Sequence, residues 1–195
     1  MKKLKSKKIG LIIFARMQSK RFPGKVLFSL YKNKSSLELI VDNLKKNKKK
    51  FILIIATSKN KADRKIVEFC KKNKIKYFLG NHQNVFKRTL NCIQKFNFDY
   101  FVRICADRPL FDINVMNKMI NLILTNKYDI VTNSYPRTFP KGLTCEVVRS
   151  CIFYSVKLKN LSKNYKEHIL NYFYANKNYK IYGFKTKLKK KFISK

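Results

Sequence analysis

Apolar and polar positions alternate between two periods along this chain. Ile9 to Phe14 is a short apolar run of the kind that forms a buried strand. Ser35 and Glu38 have capping-box spacing, and Leu37, Ile40, Val41 and Leu44 follow at i, i+3, i+4 and i+7, predicting a first helix packed on a sheet. Phe51 to Ala56 predicts a second buried strand, with Ile66, Val67 and Cys70 marking the inner face of the next helix. Ile75 to Leu79 predicts a third strand. A helix is expected over Asn84 to Phe96, with Phe86, Leu90 and Ile93 inward, then a central strand over Tyr100 to Cys105. Asp112 can cap a helix in which Met116, Ile120 and Ile123 recur, and Tyr128 to Asn133 returns to the sheet. The later part is looser: a loop over Pro136 to Gly142, a strand over Cys145 to Val148, a helix over Ser162 to Asn176 and a strand over Tyr179 to Phe184. Alternating strands and helices with no repeat and no linker predict one α/β domain over residues 1–195, with helices covering both faces of a mostly parallel sheet.

Composition changes the picture in two respects. The 195 residues are enough to bury a core without covalent staples, and the five cysteines are odd in number, with none at zinc spacing. A reducing, cytoplasmic setting is expected. The apolar run after the opening lysines is too short for a signal core or a bilayer span, so membrane insertion is not expected. The formal charge of +36 would ordinarily suggest a polyanion partner. Here the lysines are scattered among abundant Asn, Ile, Phe and Tyr, with local runs only at Lys45 to Lys50 and Lys185 to Lys191, so nucleic acid is not the expected partner.

Candidate chemistry concentrates after the first strand. The pattern A-R-x-x-S-x-R-x-P-G-K-x-L places Ala15, Arg16, Ser19, Arg21, Gly24 and Lys25 in one loop at the strand's carboxyl end, where open α/β sheets bind ligands. Three cations can neutralise phosphate oxygens, and Gly24 allows close backbone approach. Asp107, just beyond the central strand, can reach a divalent ion that bridges phosphate oxygens. No general base is identifiable.

These segments resemble the cytidylyltransferases of acidic sugars, which activate 3-deoxy-manno-octulosonate and acylneuraminates, with the spore-coat polysaccharide type nearest. A-R-M-Q-S-K-R-F-P-G-K-V-L is similar to that family's phosphate loop, and I-I-A-T-S at Ile54 to Ser58 to its base-proximal strand end. G-N-H-Q-N-V-F-K-R at Gly80 to Arg88 and V-R-I-C-A-D-R-P-L-F-D at Val102 to Asp112 match two further segments. S-Y-P-R-T-F-P-K-G-L-T-C-E-V at Ser134 to Val147 resembles its sugar-side loop, and E-H-I at Glu167 to Ile169 its late helix.

The resemblance implies a three-layer α/β/α, Rossmann-like nucleotide-diphospho-sugar transferase fold. It also implies transfer of CMP from CTP to a sugar, an acidic one, with release of pyrophosphate, in surface polysaccharide biosynthesis. Arg16, Lys25 and Asp107 would be catalytic, with Asp107 on Mg²⁺. Ala15, Ser19, Arg21, Gly24, Ala56, Thr57, Arg88 and Cys105 would join Arg16 and Lys25 around the nucleotide. Arg137, Glu146, Glu167 and His168 would face the sugar, His168 being alternatively a half-buried helix residue. A homodimer is implied as well.

The chain departs from the pattern at Thr144 and Lys141, where acidic residues are usual, at Asn84 in place of Asp and at Arg108 in place of Cys. It is also expected to lack a terminal segment that supplies a second metal-binding Asp. A noncatalytic module binding a nucleotide or sugar nucleotide therefore stands as the alternative.

Overall fold

The computed structural model describes residues 7–19, 22–49, 51–140 and 142–186. In chain order the elements are β1 (Ile9–Phe14), β2 (Ser29–Tyr31), β3 (Lys34–Ser35), α1 (Ser36–Lys45), β4 (Ile52–Ser58), α2 (Arg64–Lys72), β5 (Lys76–Gly80), α3 (Val85–Phe96), β6 (Tyr100–Cys105), α4 (Ile113–Thr125), β7 (Ile130–Thr132), β8 (Glu146–Arg149), α5 (Cys151–Tyr154), α6 (Lys163–Glu167), α7 (Asn171–Tyr174) and β9 (Ile181–Gly183).

Seven strands form one sheet in the order β5-β4-β1-β6-β8-β7-β9, and a two-stranded ribbon pairs β2 with β3. Only β8 runs against its neighbours in the large sheet, pairing antiparallel with both β6 and β7. Strands β5, β4, β1 and β6 are parallel throughout. The chain moves from β1 outward through β4 and β5, then returns to the other side of β1 for β6. The carboxyl ends of β1 and β6 thus flank the point where strand order reverses, the usual crevice of an open α/β sheet.

Alternation along β1 divides its side chains between two cores. Leu11 and Ile13 pack with Leu37, Ile40, Val41 and Leu44 of α1, Ile66 and Cys70 of α2 and Met116 and Ile120 of α4. Ile12 faces the opposite way, toward Phe86 and Ile93 of α3, Phe153 of α5 and Phe173 of α7. Helices on both faces make the fold the expected three-layer α/β/α arrangement with a mostly parallel mixed sheet. Gly10 is required by packing: a Cβ there would lie 2.3 Å from the Phe98 ring.

The early elements form for the local reasons anticipated. Ser35 Oγ accepts from Glu38 N while Ser35 N donates to Glu38 Oε2, completing the capping box. Asp112 Oδ1 accepts from Asn114 N and caps α4, and Asn84 caps α3 by accepting from Lys87 N. Val67 and Leu90, expected to face inward, are only partly covered. The β2–β3 ribbon was not anticipated; Lys32 and Asn33 turn it with φ of 47° and 56°, the left-handed geometry of a two-residue hairpin turn.

The expected helix over Ser162 to Asn176 is instead two short helices. The break falls at His168, whose φ of −101° and ψ of 76° leave the helical region. It redirects the chain so that Ile169, Leu170 and Phe173 all enter the core beneath α3. Tyr128–Asn133 and Tyr179–Phe184 contribute shorter strands than expected, Ile130–Thr132 and Ile181–Gly183, paired in parallel. Among the described residues, no helix is long and apolar enough to cross a membrane.

Candidate active site

A cleft of about 460 Å³ opens over the ends of β1 and β6. Its walls include Ala15, Arg16, Ser19, Lys25, Arg88, Cys105, Asp107, Glu167 and His168, so nine of the candidate residues meet there from four separate stretches of sequence.

The loop after β1 is held at several points. Ala15 N donates to Ala56 O (3.2 Å), and Gly24 N donates to Met17 O (2.7 Å). Met17 N donates to Oδ1 of Asp63 (2.7 Å), a fully buried carboxylate whose other oxygen accepts from Ser58 N (3.3 Å) and from the Ser58 hydroxyl. Gly24 has a φ of +78°, a turn geometry that strains any side chain. Asp63 carries no obvious sequence signal, since it lies 46 residues from the loop that it secures.

Two exposed ion pairs span the cleft. Lys25 Nζ donates to Asp107 Oδ2, and Arg16 Nη2 donates to Glu167 Oε1 at 2.7 Å. Burial alone would raise the Asp107 carboxyl; the hydrogen bond and charge of Lys25, aided by the charge of Arg108, hold it below its usual value. Asp107 is therefore ionised at neutral pH. Among the described residues no cluster of three or more His, Cys, Asp or Glu side chains could hold a metal. One ionised carboxylate at a cation-lined cleft fits a hard ion that keeps its waters and takes remaining oxygens from phosphates, rather than an all-protein cage.

Arg88 is the most buried cation of the cleft, at 2% exposure. Its Nη1 donates to Asn81 O (3.2 Å), and among the described residues its Nε has no partner. Burial lowers its pKa to about 10, still far above neutrality. Gly80 makes its course possible, because a Cβ at that position would sit 2.4 Å from Arg88 Cγ.

Other candidates lie elsewhere. Ala56 and Thr57 are fully buried and do not line the cleft. Glu146 is 4% exposed and is occupied by Arg103 Nη1 at 3.0 Å and by the Ser134 hydroxyl at 2.8 Å, so it is not free to meet a sugar. Arg137 is exposed and outside the lining; Gly24, partly buried, is outside it too. His168 lines the cleft from the break between α6 and α7 and is exposed, not half-buried within a helix. Arg21 and Lys141 lie outside the described residues, as do Lys50 and residues 187–191 of the second lysine run.

Two charged cleft residues were not anticipated as site residues, Arg103 and Arg108. A signal for Arg103 existed, since a charged residue inside the apolar strand V-R-I-C needs a partner. Arg108 Nη1 donates to the Thr144 hydroxyl, so two of the positions that depart from the family pattern touch one another. Among the described residues the lining carries five cationic side chains, Arg16, Lys25, Arg88, Arg103 and Arg108, against the carboxylates of Asp107 and Glu167. Such a cleft favours a polyanion of small size.

Comparison with known proteins agrees with this geometry. A family model described as cytidylyltransferase matches residues 11–191. An uncharacterized protein of Methanocaldococcus jannaschii is 34% identical over 171 residues, covering 88% of this chain and 69% of that protein. The spore coat polysaccharide biosynthesis protein SpsF of Bacillus subtilis is 29% identical over 169 residues, covering 84% of this chain and 69% of its own length. Among solved structures, a cytidylyltransferase from Leptospira borgpetersenii superposes with a TM-score of 0.87 at 28% identity, over 93% of this chain and 77% of that one.

Proposed function

Because this chain belongs to the cytidylyltransferase family, we propose that it transfers CMP from CTP to the hydroxyl of an acidic sugar, releasing pyrophosphate, in surface polysaccharide biosynthesis. The observation that carries this reading is the convergence of Arg16, Lys25 and Arg88 with Asp107 in the cleft between β1 and β6. A nucleoside triphosphate supplies the negative charge that this arrangement lacks.

In the reaction the acceptor oxygen forms a bond to the α-phosphorus while the bond from that phosphorus to the bridging α–β oxygen breaks. The electron pair leaves with pyrophosphate, and the proton of the acceptor hydroxyl passes to water. Lys25 and Arg16 exchange their carboxylate partners for phosphate oxygens, and Arg88, already desolvated and rigidly held, offers donors without reorganisation. Asp107, relieved of Lys25, is the residue that would hold Mg²⁺, which supplies neutralisation of charge on the phosphate oxygens. The loop after β1 contributes position, since its anchors to Asp63 and Ala56 exist before any ligand arrives.

The test is pyrophosphate release with CTP, Mg²⁺ and a panel of acidic sugars, run beside UTP and GTP. Release that requires both CTP and one of the sugars is expected. Saturable CTP binding without release for any sugar would instead favour a noncatalytic nucleotide-binding module, and equal use of all three nucleotides would remove the cytidine assignment.

A further inference from the structure

Among the described residues, Arg108 is the one partly exposed cation of the cleft lining that has no carboxylate within ion-pair distance. Lys25 and Arg16 are paired with exposed carboxylates, and Arg103 with a buried one. Arg88 is deeply buried. Arg108 is partly exposed at the cleft wall, its side-chain hydrogen bond goes to a neutral hydroxyl, and among the described residues no carboxylate lies within ion-pair distance of it. Thr144 therefore directs one arm of the guanidinium without neutralising it, and Asp107, whose carboxyl feels the Arg108 charge, is paired with Lys25.

Both sides of this contact are preorganised. On the β6 side, Ala106 N donates to Phe14 O (3.0 Å), Arg108 N donates to Cys105 O (3.0 Å) and the buried Ser36 hydroxyl donates to Ala106 O (2.6 Å). On the other side, the fully buried Asn133 side chain brackets Thr144: its Nδ2 donates to Leu143 O (3.3 Å), and its Oδ1 accepts from Cys145 N (3.0 Å). A flexible surface arginine would need none of this support. A guanidinium fixed by two separate segments has less entropy to lose when it takes a planar anion in its fork.

Placement separates Arg108 from the phosphate-facing cations. Arg16 and Lys25 rise from the loop after β1, whereas Arg108 is tied to the segment that leads into β8, on the far side of β6 in the strand order β4-β1-β6-β8. We propose that Arg108, oriented by Thr144, captures the anionic group of the acceptor, a carboxylate or phosphate, and sets the preference for a charged sugar over a neutral one. The proposal rests on the transferase reading above and goes beyond it by assigning acceptor discrimination to a residue pair.

Calorimetric titration tests it. Wild type, Arg108→Ala and Arg108→Lys are titrated with 3-deoxy-manno-octulosonate, a sugar monophosphate and mannose, each with and without saturating α,β-methylene CTP and Mg²⁺. Wild type is expected to bind one of the charged sugars at least about tenfold more tightly than mannose, the scale of one charge-assisted hydrogen bond. Arg108→Ala should erase that preference with affinity for the CTP analogue kept within about twofold, and Arg108→Lys should recover part of it. Equal binding of charged and neutral sugars by wild type, or binding of neither charged sugar, overturns the proposal. So does a loss in Arg108→Ala that falls on the CTP analogue, which would give the guanidinium to the nucleotide. Failure of the transferase reading looks different: wild type would not bind the analogue at all, while the titrations without nucleotide would still report on Arg108.

Discussion

The two sides of the cleft hold their charges in different ways. On the β1 side, the side chains of Lys25 and Asp107 are 35% and 41% exposed, and those of Arg16 and Glu167 are 42% and 45% exposed. On the β8 side, the side chains of Arg103 and Glu146 are 17% and 5% exposed, and Glu146 also accepts from Ser134. Solvent-screened pairs contribute little to folding and can exchange partners, whereas a buried pair is expensive to break because it leaves a charge without water. The same kind of contact thus serves ligand exchange on one side and structure on the other.

The largest expected effect breaks the buried pair. Glu146→Ala leaves Arg103 stranded and should cost about 3–5 kcal/mol, read as a lower urea midpoint. A matched apolar replacement of both residues should recover much of that loss; no loss in the single variant would mean that water reaches Arg103. On the exposed side the cost should move from stability to activity. Lys25→Ala is expected to lower the rate of pyrophosphate formation by about 10²–10³-fold, the scale of one lost transition-state donor. Its unfolding free energy should change by less than about 1 kcal/mol, as for an exposed pair. Comparable losses in both quantities would erase the distinction between the two sides.

A smaller effect tests the scaffold beneath the exposed side. Ser35→Ala removes the capping box of α1, the helix whose Ser36 hydroxyl holds Ala106 O, and should cost about 1 kcal/mol in thermal or urea unfolding. The smallest effect concerns pH. Asp107 is held below its ordinary 3.8, so its contribution is present above that value and fades as pH falls through the lower folded value. Wild type should therefore show slightly steeper acid loss than Asp107→Asn as pH falls below 3.8, and the difference should shrink in 1 M salt.

What the sequence revealed divides along the same line. Strands β1 and β6 have the ends expected from their apolar runs, and α1 and α4 start at the caps that Ser35 and Asp112 announce. Those signals are local, and the β1-side loop, Cys105 and Asp107 were legible because they sit directly at such ends. Beyond α4 the elements are short and depend on distant partners. Arg103 needs Glu146, 43 residues away, and Arg108 needs Thr144, 36 residues away, so no spacing rule joins them. The long helix expected over Ser162 to Asn176 breaks because burying Ile169, Leu170 and Phe173 together outweighs continuing its local hydrogen bonds. Ala56 and Thr57 lie within β4, which continues past the expected end at Ala56 to Ser58, and register with β5 buries them.

Cysteine footprinting locates the ligand most directly. Cys105 lines the cleft at the end of β6 and is partly covered, while Cys151 is exposed at the start of α5 and serves as an internal reference. Alkylation of both thiols would be followed by mass spectrometry with and without saturating CTP and Mg²⁺. Slowed labelling of Cys105 beside unchanged labelling of Cys151 is the expected result; Cys105 reacting at its ligand-free rate under saturating CTP would contradict nucleotide binding in this cleft.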